Sequence, residues 1–198
     1  MKRYALFDFD GTITCKDTLF DFILYNYGNW GLIKCLLLNA CNLACYALKL
    51  RSNERAKEKL LSTIIKGKEN AAFEQMCQEY SRKRIPQIIK RQTMALIDFH
   101  KNNGDILYIV SASPEDWIKP WAMENGFSKV IATELKRKEG SITGEFSSNN
   151  CHGEEKVNRL KKIITQRENA YIFAYGDSKS DKPMLEYADE GYFIQDIK

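Results

Sequence analysis

Cysteine pairs at redox or zinc-ribbon spacing are missing from this 198-residue sequence. Its six cysteines, at 15, 35, 41, 45, 77 and 151, include no C-x-x-C. Four of them fall in one helix-like stretch from 35 to 77, which reads as reduced, packed thiols and not as a disulfide framework. Cys41 and Cys45 have helical spacing that a metal can use, but no histidine or further cysteine is suitably placed beside them. A secretory leader is lacking too, because Asp8 interrupts the apolar start before a leader's hydrophobic stretch can form. These absences place the chain in the cytoplasm, with a position peripheral to the inner face of the membrane kept open. Internal repeats and low-complexity tracts are also absent. Charge of one sign is not in large excess: the net charge is +4 and the pI 8.6. That mild excess fits an anionic substrate, a membrane surface or an ordinary solvated exterior, and no nucleic-acid partner is expected.

What is present is a globular composition, 44% hydrophobic and 28% charged, long enough for one domain or for a core with a smaller insertion. Short apolar runs at Tyr4–Phe7, Ile106–Val110, Lys129–Ala132, Tyr171–Ala174 and Gly191–Ile194 read as strands. Most are continuous rather than alternating, as parallel strands buried on both faces must be. Helical patterns lie between them, so the expected class is α/β with a doubly wound parallel sheet. Leu135–Lys138 and Ser141–Phe146, split by Glu139 and Gly140, predict a hairpin. About ninety residues separate the first two strands, far more than one crossover helix needs. The spacing predicts an all-helical cap over residues 17–85, broken near Gly28 and Gly31, inserted into a core of residues 1–16 and 86–198.

Within that cap, residues 32–50 (LIKCLLLNACNLACYALKL) predict one helix with two unequal sides. At about 100° per residue, Lys34, Asn39, Asn42 and Lys49 share one side. The other half carries Leu36, Leu37, Ala40, Cys41, Leu43, Ala44, Ala47, Leu48 and Leu50. Two lysines and two asparagines argue against a membrane span. Packing of the apolar half on neighbouring cap helices is the preferred expectation, with Leu60, Leu61, Ile64 and Ile65 available to cover it. A helix lying in a membrane interface is the alternative, because Arg51, Arg55, Lys57 and Lys59 follow directly.

Four polar clusters stand where strands end or helices begin: Asp8-Phe9-Asp10-Gly11-Thr12, Ser111-Ala112-Ser113, Lys156, and Gly176-Asp177-Ser178-Lys179-Ser180-Asp181. Ligands of an open parallel sheet bind beyond the carboxyl ends of its strands, so these clusters can converge. Asp8 and Asp10, two apart on a strand end, repel one another unless a cation or a shared proton relieves them. Three or four carboxylates about one point ask for a hard cation, and oxygen-only ligation favours Mg2+ with positions open to phosphate oxygens. Lys156, the Ser111 hydroxyl and backbone N–H groups of the first loop and of Ala112 are candidate phosphate donors. One carboxylate of the pair can attack phosphorus while the other protonates the leaving group.

In order and spacing these four clusters resemble the motifs of the haloacid dehalogenase superfamily of phosphatases. The insertion after the first motif is similar to that of the phosphoserine phosphatase subclass. The resemblance implies Asp8 as nucleophile and Asp10 as acid/base. It implies metal ligation by Asp8, Asp177 and the Asp10 backbone carbonyl, phosphate contacts from Gly11, Thr12, Ser111, Ala112 and Lys156, and Asp181 as a supporting carboxylate. Asp17 stands at the position that in phosphoserine phosphatases meets the substrate amine. The segments SASP, HGEEKV and GDSKSDKPML, with the leucine-rich cap, look closer to the phosphatidylglycerophosphatase C group, whose substrate is a phospholipid head-group phosphate. The expected partner is therefore a phosphomonoester, lipid-linked or a small metabolite, with peripheral membrane contact through the cap kept open. A non-catalytic phospho-receiver or binding module is the reading from another class.

Overall fold

Alternate residues of the first strand serve opposite sides of the sheet, and both sides are buried, which is why its sequence is apolar without a break. The computed structural model describes residues 1–194; the last four residues of the expected core lie outside them. In chain order the elements are β1 (Lys2–Phe7), α1 (Thr18–Leu38), α2 (Ala40–Ala47), α3 (Asn53–Ile65), α4 (Asn70–Glu79), α5 (Arg91–Asn102), β2 (Ile106–Pro114), α6 (Glu115–Glu124), β3 (Lys129–Thr133), β4 (Leu135–Lys138), β5 (Ser141–Phe146), α7 (Glu154–Ile163), β6 (Ala170–Gly176), α8 (Lys182–Tyr187) and β7 (Glu190–Phe193). A parallel five-stranded sheet runs in the order β3-β2-β1-β6-β7. Ala5 and Phe7 belong to the core on one side, with Ile109, Trp117 and Phe127. Tyr4 and Leu6 face the other, with Val110, Leu160 and Ile172. Phe7 pairs with Ile109 on β2 and with Tyr175 on β6, so the first loop leaves the sheet between these two strands. β2 runs on past the expected end at Val110 to Pro114, with a register shift between Ser111 and Pro114.

Between β1 and α5 the chain is helical but not uniformly so. Gly28 has φ +68°, a left-handed conformation that bends α1 where the sequence expectation placed a break. The single helix expected over 32–50 is not formed. It ends at Leu38 and restarts at Ala40, and the two helices meet at a 63° bend. Asn39 supplies the reason. Its side-chain amide donates to the Cys35 carbonyl and to Thr63 on α3, each at 2.9 Å, and such side-chain bonds compete with helix continuation. The expected packing is met only in part: Leu43 packs against the core and Leu36 is half-buried, while Lys34 and Lys49 are exposed. Asn39 and Asn42 are buried against α3, while Leu37, Leu48 and Leu50 are exposed. Leu60, Leu61 and Ile65 are buried, but with Cys35, Phe73 and Tyr80 in the interior. The β4–β5 hairpin forms as expected. It lies on α3 so closely that a Cβ at Gly144 would fall 2.5 Å from the Ser62 Cα.

One buried ion pair holds the start of α1 against the turn that leads back to the core. Arg84 donates from Nη2 to Asp21 Oδ1 at 2.8 Å and from Nε to Oδ2 at 2.9 Å. Tyr80 donates its hydroxyl to Oδ2 at 3.1 Å. Burial pushes the Asp21 carboxyl up, but the Arg84 bonds and charge outweigh it and hold the group below the usual carboxylate range. A depressed carboxylate contributes stability above its unfolded pKa of about 4 and loses it as pH falls through the folded value. Replacing Arg84 by Met removes both of its charged bonds and leaves Asp21 with Lys16, 3.4 Å from its Oδ1, so the carboxyl rises from where Arg84 holds it and the stability Arg84 contributes above about pH 4 is lost. Arg84→Met is therefore expected to cost about 3 kcal/mol at pH 7 and clearly less at pH 4, as read from urea unfolding at the two values.

Candidate active site

The loop that follows β1 brings together side chains from five separate parts of the chain. Asp8 is buried, and its backbone N–H donates to the Tyr175 carbonyl at 2.9 Å, which continues the β1–β6 ladder one residue beyond the strand. Lys156, on the first turn of α7, is also buried. Its ammonium donates to Asp8 Oδ1 and to Asp181 Oδ1, each at 2.6 Å. Burial works against that ammonium, but the two carboxylates outweigh it and hold its pKa above the ordinary lysine value. The second oxygen of Asp181 accepts from the Ser178 N–H at 3.0 Å, the Ser178 hydroxyl at 2.8 Å and the Asp177 N–H at 3.2 Å. Burial pushes Asp181 up; Lys156 and these donors more than offset it, so Asp181 is held low and ionised.

Asp8 is different. Burial pushes its carboxyl up to about 7 against the pull of Lys156, and the charges of Asp181 and Asp10 add to the rise. Asp177 rises as well, from burial first and then from Asp181, with Thr12 and Lys90 opposing. The Thr12 hydroxyl stands 3.3 Å from both Asp8 Oδ2 and Asp177 Oδ1, and its single proton can serve only one of them. Asp8, Asp177 and Asp181 each bring an oxygen within 4.8 Å of the others. These oxygens fit a hard dication, because the negative charge gathered here exceeds what Lys156 neutralises and the donors are oxygen only. Asp181 already has its oxygens taken, so Asp8 and Asp177 are the two side chains of this set left to ligate. Gly11 makes their approach possible: it has φ +80°, and a Cβ there would stand 2.0 Å from Asp177 Oδ2. The Asp10 side chain is not part of this cluster.

Asp10 is held by neutral donors. The Thr18 N–H, at the start of α1, donates to its Oδ1 at 2.7 Å. The Ser113 hydroxyl donates to its Oδ2, with Thr18 Oγ1 3.4 Å from that hydroxyl and Trp117 donating to Thr18 at 3.2 Å. Burial, then the charge of Asp17, raises Asp10 above the usual carboxylate range, while Ser113 and Thr18 pull it down. Asp17 itself is exposed. Its carboxylate caps α1, accepting from the N–H groups of Leu19 at 2.9 Å and Phe20 at 3.3 Å, and that bond accounts for an aspartate at this position. Ser111 lies on β2, two residues beyond Ile109, the partner of Phe7. Its oxygen accepts from the Ser113 N–H at 3.1 Å, which leaves the hydroxyl proton to donate. The Ala112 carbonyl accepts from Thr133 at 3.0 Å, fixing that peptide.

Four residues take roles that the sequence did not assign to them. Lys57 on α3 reaches the Ala112 carbonyl at 3.3 Å. Its charge, after burial, also helps lower the pKa of His152. Lys90 is buried, donates to the Gly11 carbonyl and acts on Asp177. Ser113 and Thr18 position Asp10. A lysine in the basic first turns of α3 looks like a solvated one, and the partners of Asp10 lie 8 and 103 positions away.

The chain is similar to several known proteins. Protein CicA of Caulobacter vibrioides is 31% identical over 191 residues, a match covering 95% of this chain and 84% of that protein. A Bordetella pertussis Tohama I protein of unknown function superposes with a TM-score of 0.81 at 23% identity, over 94% of this chain and 86% of that one. A phosphoserine phosphatase in the form of a phospho-aspartyl intermediate analogue superposes with a TM-score of 0.60 at 22% identity, over 94% and 83% of the two chains. The family model of haloacid dehalogenase-like hydrolases matches residues 5–186, which sets aside the non-catalytic receiver reading. The chain belongs to the haloacid dehalogenase-like hydrolases.

Proposed function

We propose that this enzyme is a magnesium-dependent phosphomonoester hydrolase that works through an aspartyl-phosphate on Asp8, with residues 17–85 acting as a cap over the core. The observation that carries the reading is the difference between the two carboxylates of the first loop. Asp8 is held by the Lys156 ammonium, whereas Asp10 is held by a backbone N–H and a hydroxyl and is raised by burial. Burial raises both carboxylates, but Lys156 pulls Asp8 down and a bound cation would lower it further, so Asp8 is the one placed to attack, while Asp10, with neutral donors only, can carry a proton to give away.

An oxygen of Asp8 bonds to phosphorus as the phosphorus–ester oxygen bond breaks, and the proton of Asp10 goes to the departing alkoxide. Asp10, now a carboxylate, takes a proton from water, whose oxygen attacks phosphorus and releases Asp8 and inorganic phosphate. Asp8, Asp177 and the Asp10 carbonyl would hold Mg2+, which neutralises the phosphoryl oxygens and lowers the pKa of Asp8. Ser111, Lys156 and the backbone of Gly11, Thr12 and Ala112 bind the remaining oxygens. Asp181 orients Lys156.

For the substrate, a lipid head-group phosphate such as phosphatidylglycerophosphate is the favoured reading, supported by the leucines exposed on α1 and in the turn after α2; a soluble ester such as phosphoserine is the alternative, and rates on the two separate them. The mechanism is tested with magnesium, an alkyl phosphate and nitrophenyl phosphate. Asp10→Asn is expected to slow the alkyl ester by about 10²- to 10⁴-fold and nitrophenyl phosphate much less, since nitrophenolate leaves without a proton. Equal losses would remove Asp10 as the acid. No magnesium-dependent turnover of any of these esters would remove the phosphatase reading.

A further inference from the structure

The second half of α1, α2 and the turn into α3 carry an apolar surface that nothing among the described residues covers. Trp30 is 83% exposed, Leu37 72%, Leu38 64%, Leu48 69% and Leu50 76%. This is not a packing face left open by accident. Two asparagines of the same segment are turned inward, where Asn39 bonds Thr63 and Asn42 donates to the Ala56 carbonyl at 3.2 Å and accepts from Arg51 at 2.7 Å. With its inner side sealed by side-chain bonds to α3, the segment has no route to bury those leucines within the chain.

We propose that this surface docks on an anionic lipid bilayer. Charge selects that occupant. From Phe22 to Asn53 the chain contains no aspartate or glutamate, while Lys34, Lys49 and Arg51 lie within the stretch and are exposed, as are Arg55 and Lys59 just beyond it. A groove beside the turn is lined by Arg51, Arg55, Lys59 and Lys66. Of the two acids that also line it, Glu58 accepts from the Phe146 N–H and Glu145 pairs with Lys136. An apolar face flanked by basic side chains, with an aromatic residue at its edge, is what an interfacial segment presents to anionic head groups. Among the described residues no single helix is long and apolar enough to cross a membrane, and the 63° bend between α1 and α2 suits a segment lying along the surface. The docked face also adjoins the site. Tyr46 bonds Asn53 at the start of α3, Asn53 bonds Asn150 at 2.9 Å, and Lys57, one turn on, reaches the Ala112 carbonyl. Docking thus brings the mouth of the site toward the bilayer, which deepens the lipid-phosphate reading and rests on it only for the chemistry.

The test is flotation of the 198-residue chain with neutral phosphatidylcholine vesicles and with vesicles containing phosphatidylglycerol, alongside nitrophenyl phosphate turnover. The unmodified chain is expected to float with anionic vesicles only, and less as salt rises. Leu37→Gln with Leu50→Gln is expected to abolish flotation. Because these side chains are mostly exposed, the fold and nitrophenyl phosphate turnover should be retained. Arg55→Ala with Lys59→Ala is expected to weaken vesicle partition by about 25-fold, at about five-fold per charge removed. Failure of the unmodified chain to float with anionic vesicles overturns the proposal. So does a dimer in sedimentation, without vesicle binding, that the leucine variant disperses, because the face then serves a second copy of the chain. Flotation without any nitrophenyl phosphate turnover leaves the docking surface standing and removes the phosphatase reading instead.

Discussion

Asp8→Asn is expected to lower turnover by at least about 10⁴-fold, the scale of loss when a nucleophile is removed from an enzyme whose binding groups remain. The substitution keeps shape and an oxygen acceptor for Lys156, so the first loop has no reason to rearrange. It removes a charge that burial already disfavours, since the Asp8 carboxyl is pushed up to about 7. Lys156 keeps its second partner, Asp181. Stability is therefore expected to change by no more than about 1 kcal/mol, and urea unfolding checks this beside initial rates. A folded variant with more than about one hundredth of the original rate would rule out Asp8 as the attacking group.

Lys156→Met is expected to have the largest effect on stability. It leaves Asp8 and Asp181 facing one another, both buried, with no ammonium between them. Breaking a buried charge cluster by removing one sign costs about 3–5 kcal/mol, which for a chain of this size lowers the melting temperature by about 10 °C. The pH dependence identifies the cause. Asp181 is now held low by Lys156 and contributes stability that is lost as pH falls. Without Lys156 both carboxylates are raised, bind protons more tightly folded than unfolded, and make the variant less stable as pH rises. The gap to the unmodified chain should be wide at pH 8 and narrower at pH 5. An equal gap at both would show that Lys156 acts through packing of its stem and not through its charge.

What could be read from residues alone followed from two local rules. Strands buried on both faces are continuous apolar runs, and chemistry in a parallel sheet sits just past their carboxyl ends. Tyr4–Phe7 followed by Asp8 and Asp10, and Tyr171–Ala174 followed by Asp177 and Asp181, obey both, so the sheet and the acidic centre were visible before any coordinates. Glu139-Gly140 marked the hairpin for the same reason: turn chemistry is local, and Glu139 and Gly140 both take positive φ.

Periodicity, however, shows that a helix has two sides without showing which one faces inward. Residues 32–50 were read with the leucines inside, the usual outcome for apolar residues. The tertiary structure decided otherwise for Leu37, Leu48 and Leu50, because Thr63 and the Ala56 carbonyl on α3 offer partners to Asn39 and Asn42, and the same Asn39 bonds end the helix. The partners of Asp10 and Asp177 were hidden for a related reason. Thr18 and Lys90 are ordinary residue types at unremarkable spacing, Ser113 gave no hint of its partner, and only the convergence of α1, β2 and the chain before α5 brings them to the carboxylates. Sequence by itself determined the sheet, the order of the motifs and the acidic centre, since each depends on neighbours along the chain. Tertiary structure alone decided which face of the α1–α2 segment meets solvent and which donors surround each carboxylate, since both depend on what lies across space.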